Sequence, residues 1–241
     1  MKRHLSILLL LLSLELPASA QSLVIDLGSD SFMAQQNPKW KDQSGNGNDA
    51  SGYGENAPTL APGATPAGKD ALSFNGSNYM YLANSWKGAD MASFSTSPSF
   101  SILAVISVVG NKQNHTILGG HVGSIQYAIG GNGGPQSLTE SNKKLLGSSS
   151  TPVPCDTWVV VGVTYDGKTI SFYENGQLVD SISAFGTFVI PPVLAPYNIG
   201  RTHGGQYFEG LIAALRIYEG TLGAAEMKAD SDKLAGTYIT K

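Results

Sequence analysis

Residues 157–183, TWVVVGVTYDGKTISFYENGQLVDSIS, decide the fold class. Strand side chains alternate between two faces, so Val159, Val161, Val163 and Tyr165 share one side. Asp166-Gly167 follows, and Ile170 and Phe172 then alternate with polar neighbours. Asn175-Gly176 comes next, with Leu178 and Ile182 beyond it. Asp-Gly and Asn-Gly supply the positive φ angles that two-residue hairpin turns require. Two such turns in succession predict a three-stranded antiparallel meander.

The same periodicity extends outward. In 100–109, Phe100, Ile102, Ala104, Ile106 and Val108 line one face. The other face mixes Ser99, Ser101 and Ser107 with Leu103, Val105 and Val109, which suits a sheet packed on one side and partly open on the other. Shorter strands are expected at 23–27, 71–75, 79–82, 116–119, 125–130, 197–200 and 211–218. Many short strands separated by turn signals describe a sandwich or jelly roll. The glycine-rich stretches 58–68 and 130–135 read as surface loops. One helix is expected near the end, with Gly223 as N-cap, Glu226 reaching back to it, and Met227, Leu234 and Tyr238 near one face.

Composition narrows the function. The 241 residues are 41% hydrophobic and 14% charged, too apolar for a disordered chain. A net charge of −3 gives no basic footprint for nucleic acid. The single cysteine, Cys155, excludes an internal disulfide framework and any multi-cysteine zinc site. Lys2 and Arg3, the apolar run 5–14, Pro17 and Ala18-Ser19-Ala20 have the order of a secretory signal cleaved after Ala20. The run is shorter than the roughly 20 residues of a membrane span. The reading is a chain of residues 21–241, one domain, secreted or held at the cell envelope, with no membrane span of its own.

Several motifs carry a family resemblance. Trp40–Ala50 contains Asp42-Gln43-Ser44-Gly45-Asn46-Gly47-Asn48, which resembles the D-x-S-G-N-G-N signature of laminin-G-like jelly rolls in the concanavalin A-like lectin/glucanase superfamily. In family order, 71–76 resembles the A-x-x-F-x-G strand and 158–165 the W-x-x-V-x-V-x-Y strand. Residues 173–177 resemble the Y-x-N-G-x hairpin, 210–218 the G-x-I-x-E-x-x-I-Y strand, and 222–238 the closing helix. The resemblance implies an all-β, two-sheet antiparallel jelly-roll sandwich with a short C-terminal helix. It also implies a binding module for polysaccharide or glycoconjugate, with glycan-cleaving enzymes as the minority alternative and a protein-binding adhesion module as another.

Many laminin-G-like domains bind calcium. Asp42, Asn46, Asn48 and Asp49 offer the hard oxygen ligands that Ca2+ prefers. The alternative reading is that these side chains hydrogen-bond their own backbone and hold an irregular turn. Ala213-Ala214 stands where relatives often carry an acid, which weakens the calcium reading.

Hydrolytic motifs fail. Retaining hydrolysis needs two carboxyl groups about 5 Å apart, and none of the glutamates after residue 20 has another acid two positions away. A lyase could use a histidine or tyrosine base with an arginine to neutralise a uronate. Arg201, His203 and Tyr207 could form such a set, with Tyr127 and His121 nearby if sheet order allows. Sugar binding needs an aromatic platform beside hydrogen-bonding groups. Tyr53, Tyr79, Tyr81, Trp86, Tyr127 and Tyr207 are candidates, and the ligand contacts selected are Tyr127, Arg201, His203 and Tyr207. Trp40 and Trp158 read as structural.

Overall fold

The computed structural model describes residues 21–82, 99–111, 113–120, 125–140, 144–184, 197–202 and 204–240. The expected signal sequence, Trp86, His121 and His203 lie outside the described residues. The strands are β1 (Ser22–Gly28), β2 (Phe32–Met33), β3 (Lys39–Trp40), β4 (Ala50–Ser51), β5 (Thr59–Ala61), β6 (Ala71–Asn75), β7 (Met80–Leu82), β8 (Phe100–Val108) and β9 (His115–Gly119). They continue as β10 (Ile125–Ile129), β11 (Pro135–Glu140), β12 (Lys144–Pro152), β13 (Val159–Tyr165), β14 (Thr169–Glu174), β15 (Gln177–Ser183), β16 (Asn198–Ile199) and β17 (Glu209–Glu219), and the helix α1 spans Ala224–Tyr238.

All the pairings are antiparallel, and they make two sheets. The first runs β15-β14-β13-β8-β17-β6-β5, with β1 also on β17. The second runs β12-β11-β10-β9-β16-β7-β4-β3-β2. Their inner faces share one core, in which Val159, Val161, Val163, Tyr165, Ile170 and Phe172 are buried as their alternation predicts. The fold is the expected two-sheet sandwich with a C-terminal helix.

The meander differs from expectation at one turn. Asn175 and Gly176 both take positive φ, 49° and 75°, as a tight hairpin demands. At the other turn only Gly167 is left-handed, and three residues connect the strands. Asp166 uses its carboxylate instead, accepting from the amides of Lys168 and Thr169. Leu178, on the outermost strand of the first sheet, is 54% exposed rather than packed.

The mixed outer face of β8 is not open. Leu103 and Val105 lie in a second apolar cluster under α1, with Val160, Met227, Leu234 and Tyr238. Trp158 packs half-buried against that cluster. The amide of Gly223 donates to Glu226 Oε2 at 2.7 Å, the expected cap. Ala213 and Ala214 both join this outer cluster because β17 bulges against β8 between Ile212 and Ala214. A bulge puts two consecutive residues on one face. An acid at either position would be buried beneath the helix, so alanine suits the site.

Candidate functional site

The open face of the second sheet gathers tyrosines around an arginine. Met80 and Leu82 are buried in the core, so Tyr81 between them and Tyr79 before them face outward. Strand β4 runs beside β7 with Ser51 opposite Tyr81. The chain then turns through Gly52, against which Ala57 packs too closely for a side chain, and presents Tyr53 at 55% exposure. On the other flank, Asn198 of β16 lies opposite Tyr81. Gly200 follows at φ 87°, with the Phe74 ring where a Cβ would sit. That kink delivers Arg201, which bridges to Tyr207 across a short loop tied by Thr202 to Gln206.

The Arg201 Cζ lies 3.3 Å from the Tyr79 ring centroid and 5.6 Å from that of Tyr81. Its Nη2 donates to the Tyr81 hydroxyl over a long 3.4 Å, and the Tyr79 and Tyr81 hydroxyls are 3.0 Å apart. Tyr53 meets Tyr81 edge to face at 5.7 Å, and Tyr207 tilts toward Tyr79 at 6.4 Å. A cation over an aromatic face contributes about 0.5–2 kcal/mol, more as water is excluded. No carboxylate among the described residues pairs with Arg201. Burial, helped by the hydrogen bond with Tyr81, raises the Tyr79 hydroxyl above its ordinary pKa despite Arg201. The Oδ1 of Asn198 is buried without a hydrogen-bond partner among the described residues.

Of the residues selected from sequence, Arg201 and Tyr207 come together here. His203 lies outside the described residues. Tyr127 is a correction, because it points into the core between the inward-facing Ile125 and Ile129 and is fully buried. Its hydroxyl donates to Gln136 Oε1 at 2.5 Å, and Gln136 Nε2 donates onward to the Tyr173 carbonyl at 3.0 Å. No ligand reaches it, and burial pushes its pKa well up. The alternation Ile125, Tyr127, Ile129 was the signal for that orientation. Tyr53, Tyr79 and Tyr81 were candidates left out of the selected set, and they form most of the cluster.

The expected calcium loop is knitted to the chain itself. Asp42 Oδ1 accepts from the amides of Asp26 and Ser44, and Oδ2 accepts from the Ser44 hydroxyl and the Asn48 amide. A carboxylate has about four lone-pair sites, so Asp42 is saturated. Asp49 accepts from the Asp42 amide through Oδ1 and pairs with Lys41 through Oδ2 at 2.5 Å. Asn46 and Asn48 donate their side-chain amides to the Leu23 and Val24 carbonyls. This donor set does not fit a calcium ion: one carboxylate is used up and the other is neutralised by a lysine. Adding EDTA is accordingly expected to leave the thermal midpoint within about 1 °C, against the several degrees that loss of a tightly bound ion would bring. A scanning-calorimetry trace with and without chelator checks this.

Cys155 is half-buried, and burial together with Asp156 pushes its thiol pKa up, away from a reactive thiolate. No group of three or more metal-ligating side chains occurs among the described residues. No helix among them is long and apolar enough to cross a membrane.

Comparison with known proteins places this architecture. In solved structures the fold resembles Domain 4 of AbnA, a GH43 extracellular arabinanase from Geobacillus stearothermophilus in complex with arabinotriose. The TM-score is 0.65 at 17% identity, covering 88% of this chain and 98% of that one. It also resembles the binding domain of Paraclostridial Mosquitocidal Protein 1, with a TM-score of 0.65 at 15% identity, over 88% of this chain and 52% of that one. Trypanosoma rangeli sialidase gives a TM-score of 0.61 at 14% identity, over 91% of this chain but only 34% of the sialidase. No curated protein matches the sequence. A laminin-G-type family model, described as the concanavalin A-like lectin/glucanases superfamily, matches residues 74–228, well over half of the chain, and this protein belongs to that family.

Proposed function

We propose that the protein is an exported, non-catalytic lectin-like module that holds carbohydrate on the Tyr53–Tyr79–Tyr81–Tyr207 face. The observation that carries this reading is the stacked Arg201–Tyr79 pair with tyrosine hydroxyls beside it. Aromatic rings take the apolar faces of sugar rings, while the surrounding hydroxyls and guanidinium take sugar oxygens. The buried, unpartnered Oδ1 of Asn198 beside Tyr81 adds an acceptor that a sugar hydroxyl or a bridging water would satisfy. The bound arabinotriose in the similar arabinanase domain supports carbohydrate as the ligand class.

Binding is preferred over cleavage on the chemistry of the same cluster. A tyrosine base needs its pKa lowered toward the working pH, whereas that of Tyr79 is raised. Affinity electrophoresis through gels holding single polysaccharides, with an assay for new reducing ends and unsaturated uronates, tests the reading. Retardation without cleavage is expected. Tyr53→Ala removes a ring that is largely exposed, so it leaves the fold intact and is expected to weaken retardation about tenfold, the range of an aromatic anchor. Cleavage of any polymer would favour an enzyme, and binding to none would favour a protein ligand. N-terminal sequencing of the exported protein is expected to begin at Gln21.

A further inference from the structure

We infer that this face selects sugars bearing a carboxylate, with the Arg201 guanidinium as the group that sets the preference, an inference that rests on the carbohydrate-binding reading above. The argument begins with charge. The acids nearest the cluster in sequence are Glu55 and Glu209, and neither pairs with Arg201. Glu209 instead accepts from Asn111 at 2.5 Å. The chain as a whole carries −3, so a cation left uncompensated among four tyrosines opposes the general sign of the protein.

Geometry then selects the anion. Stacking on Tyr79 occupies the flat face of the guanidinium and leaves its edge free, and a carboxylate binds a guanidinium in plane through that edge. The buried Nε takes no partner among the described residues, so the ring contact pins the group and leaves its outer nitrogens to the ligand. Nη2 makes only the 3.4 Å contact with Tyr81, and Nη1 has no partner among the described residues. This is a pre-oriented fork, and a planar carboxylate matches its two-point geometry better than a lone hydroxyl does. The flanking rings of Tyr81 and Tyr207 would take the sugar that carries it.

The overall negative charge makes the test clean, because unspecific ion exchange would repel a polyanion. Retardation is measured in gels of polygalacturonate, polysialic acid, carboxyl-reduced polygalacturonate, neutral arabinan and dextran sulfate. The expected result is binding to at least one carboxylated polymer at least tenfold tighter than to its neutral counterpart, with the first two gels separating uronate from sialate. Arg201→Gln is expected to remove that difference, bringing the carboxylated polymer down to the level of its neutral counterpart, which itself weakens less. Arg201→Lys, which keeps the charge but loses the fork, is expected to recover only part of it. Thermal midpoints of both variants establish that they fold. Equal binding of neutral and carboxylated polymers, unchanged in Arg201→Gln, would overturn carboxylate selection and leave the carbohydrate reading standing. Tighter binding to dextran sulfate than to any carboxylated polymer would also overturn it. Binding to none of the five would overturn both.

Discussion

Asp42→Ala is expected to lower the unfolding free energy by about 3–5 kcal/mol, one of the two largest losses anticipated for a single side chain in this protein. Its carboxylate accepts four hydrogen bonds, including those from the backbone amides of Asp26, Ser44 and Asn48. Each buried or half-buried donor left unsatisfied costs about 1–3 kcal/mol, with the exposed ones recovered by water. The damage would spread, because the loop substitutes for a missing ladder partner. Pairing of β1 with β17 shifts register between Leu23 and Ile25, and the Val24 carbonyl receives Ser44 Oγ, Asn46 Nδ2 and Asn48 Nδ2 instead. Asp42→Asn should lose most of the same stability, since its amide nitrogen would face donors. Urea titration gives the free energy. A loss below 1 kcal/mol would show that the loop does not hold β1.

The second large effect is expected at Arg216. It is 8% exposed on the outer face of β17, where it pairs with Asp26 of β1 at 2.9 Å and with Asp230 of α1. Tyr218 donates to the other oxygen of Asp230 at 2.8 Å. One side chain thus ties the edge strand and the helix to the same central strand. Arg216→Met keeps much of the packed volume but leaves two sheltered carboxylates facing one another. Breaking a buried pair from one side typically costs 3–5 kcal/mol, whereas replacing the set by apolar residues is near neutral. The prediction is therefore a loss of about 3–4 kcal/mol in Arg216→Met and recovery of at least half of it when Asp230→Leu is added. Helix detachment should also make Lys228 and Lys233 trypsin-sensitive in the single variant. Additive losses in the double variant would rule out this coupling.

Strands with clean alternation were legible in advance, and so was their grouping into a sandwich. Residues 71–75 form β6 as expected, and the inward faces of β8, β13 and β14 follow the period-two pattern residue by residue. Strands β11 and β12 were not among the expected strands, because 135–152 is rich in serine and threonine and lacks a clean apolar alternation. Their pairing with β10 and with each other stabilises them where local propensity does not. The short β2 to β5 are likewise defined by partners rather than by pattern. At the site, composition revealed which tyrosines existed but not which face they shared. Tyr79, Tyr81, Arg201 and Tyr207 are brought together by β7 and β16 becoming neighbours across more than a hundred residues. Tyr127 was the opposite case, an aromatic whose inward direction its own strand already gave away.

The position of β17 has a kinetic consequence. It is the last of the described strands in chain order, yet one edge pairs with β8 and the other is shared by β6, along 209–212, and β1, along 214–219. Until it arrives, β1 has no ladder partner and β6 has only the three-residue β5 beside it. Such high contact order slows folding, because long loops must close before their contacts are gained. The meander of β13, β14 and β15 is local and can form early, whereas the first sheet cannot close around its centre before residue 219 is available. During refolding, the amides of the meander are therefore expected to gain protection from exchange first, and those of β1, β6 and β17 later and together.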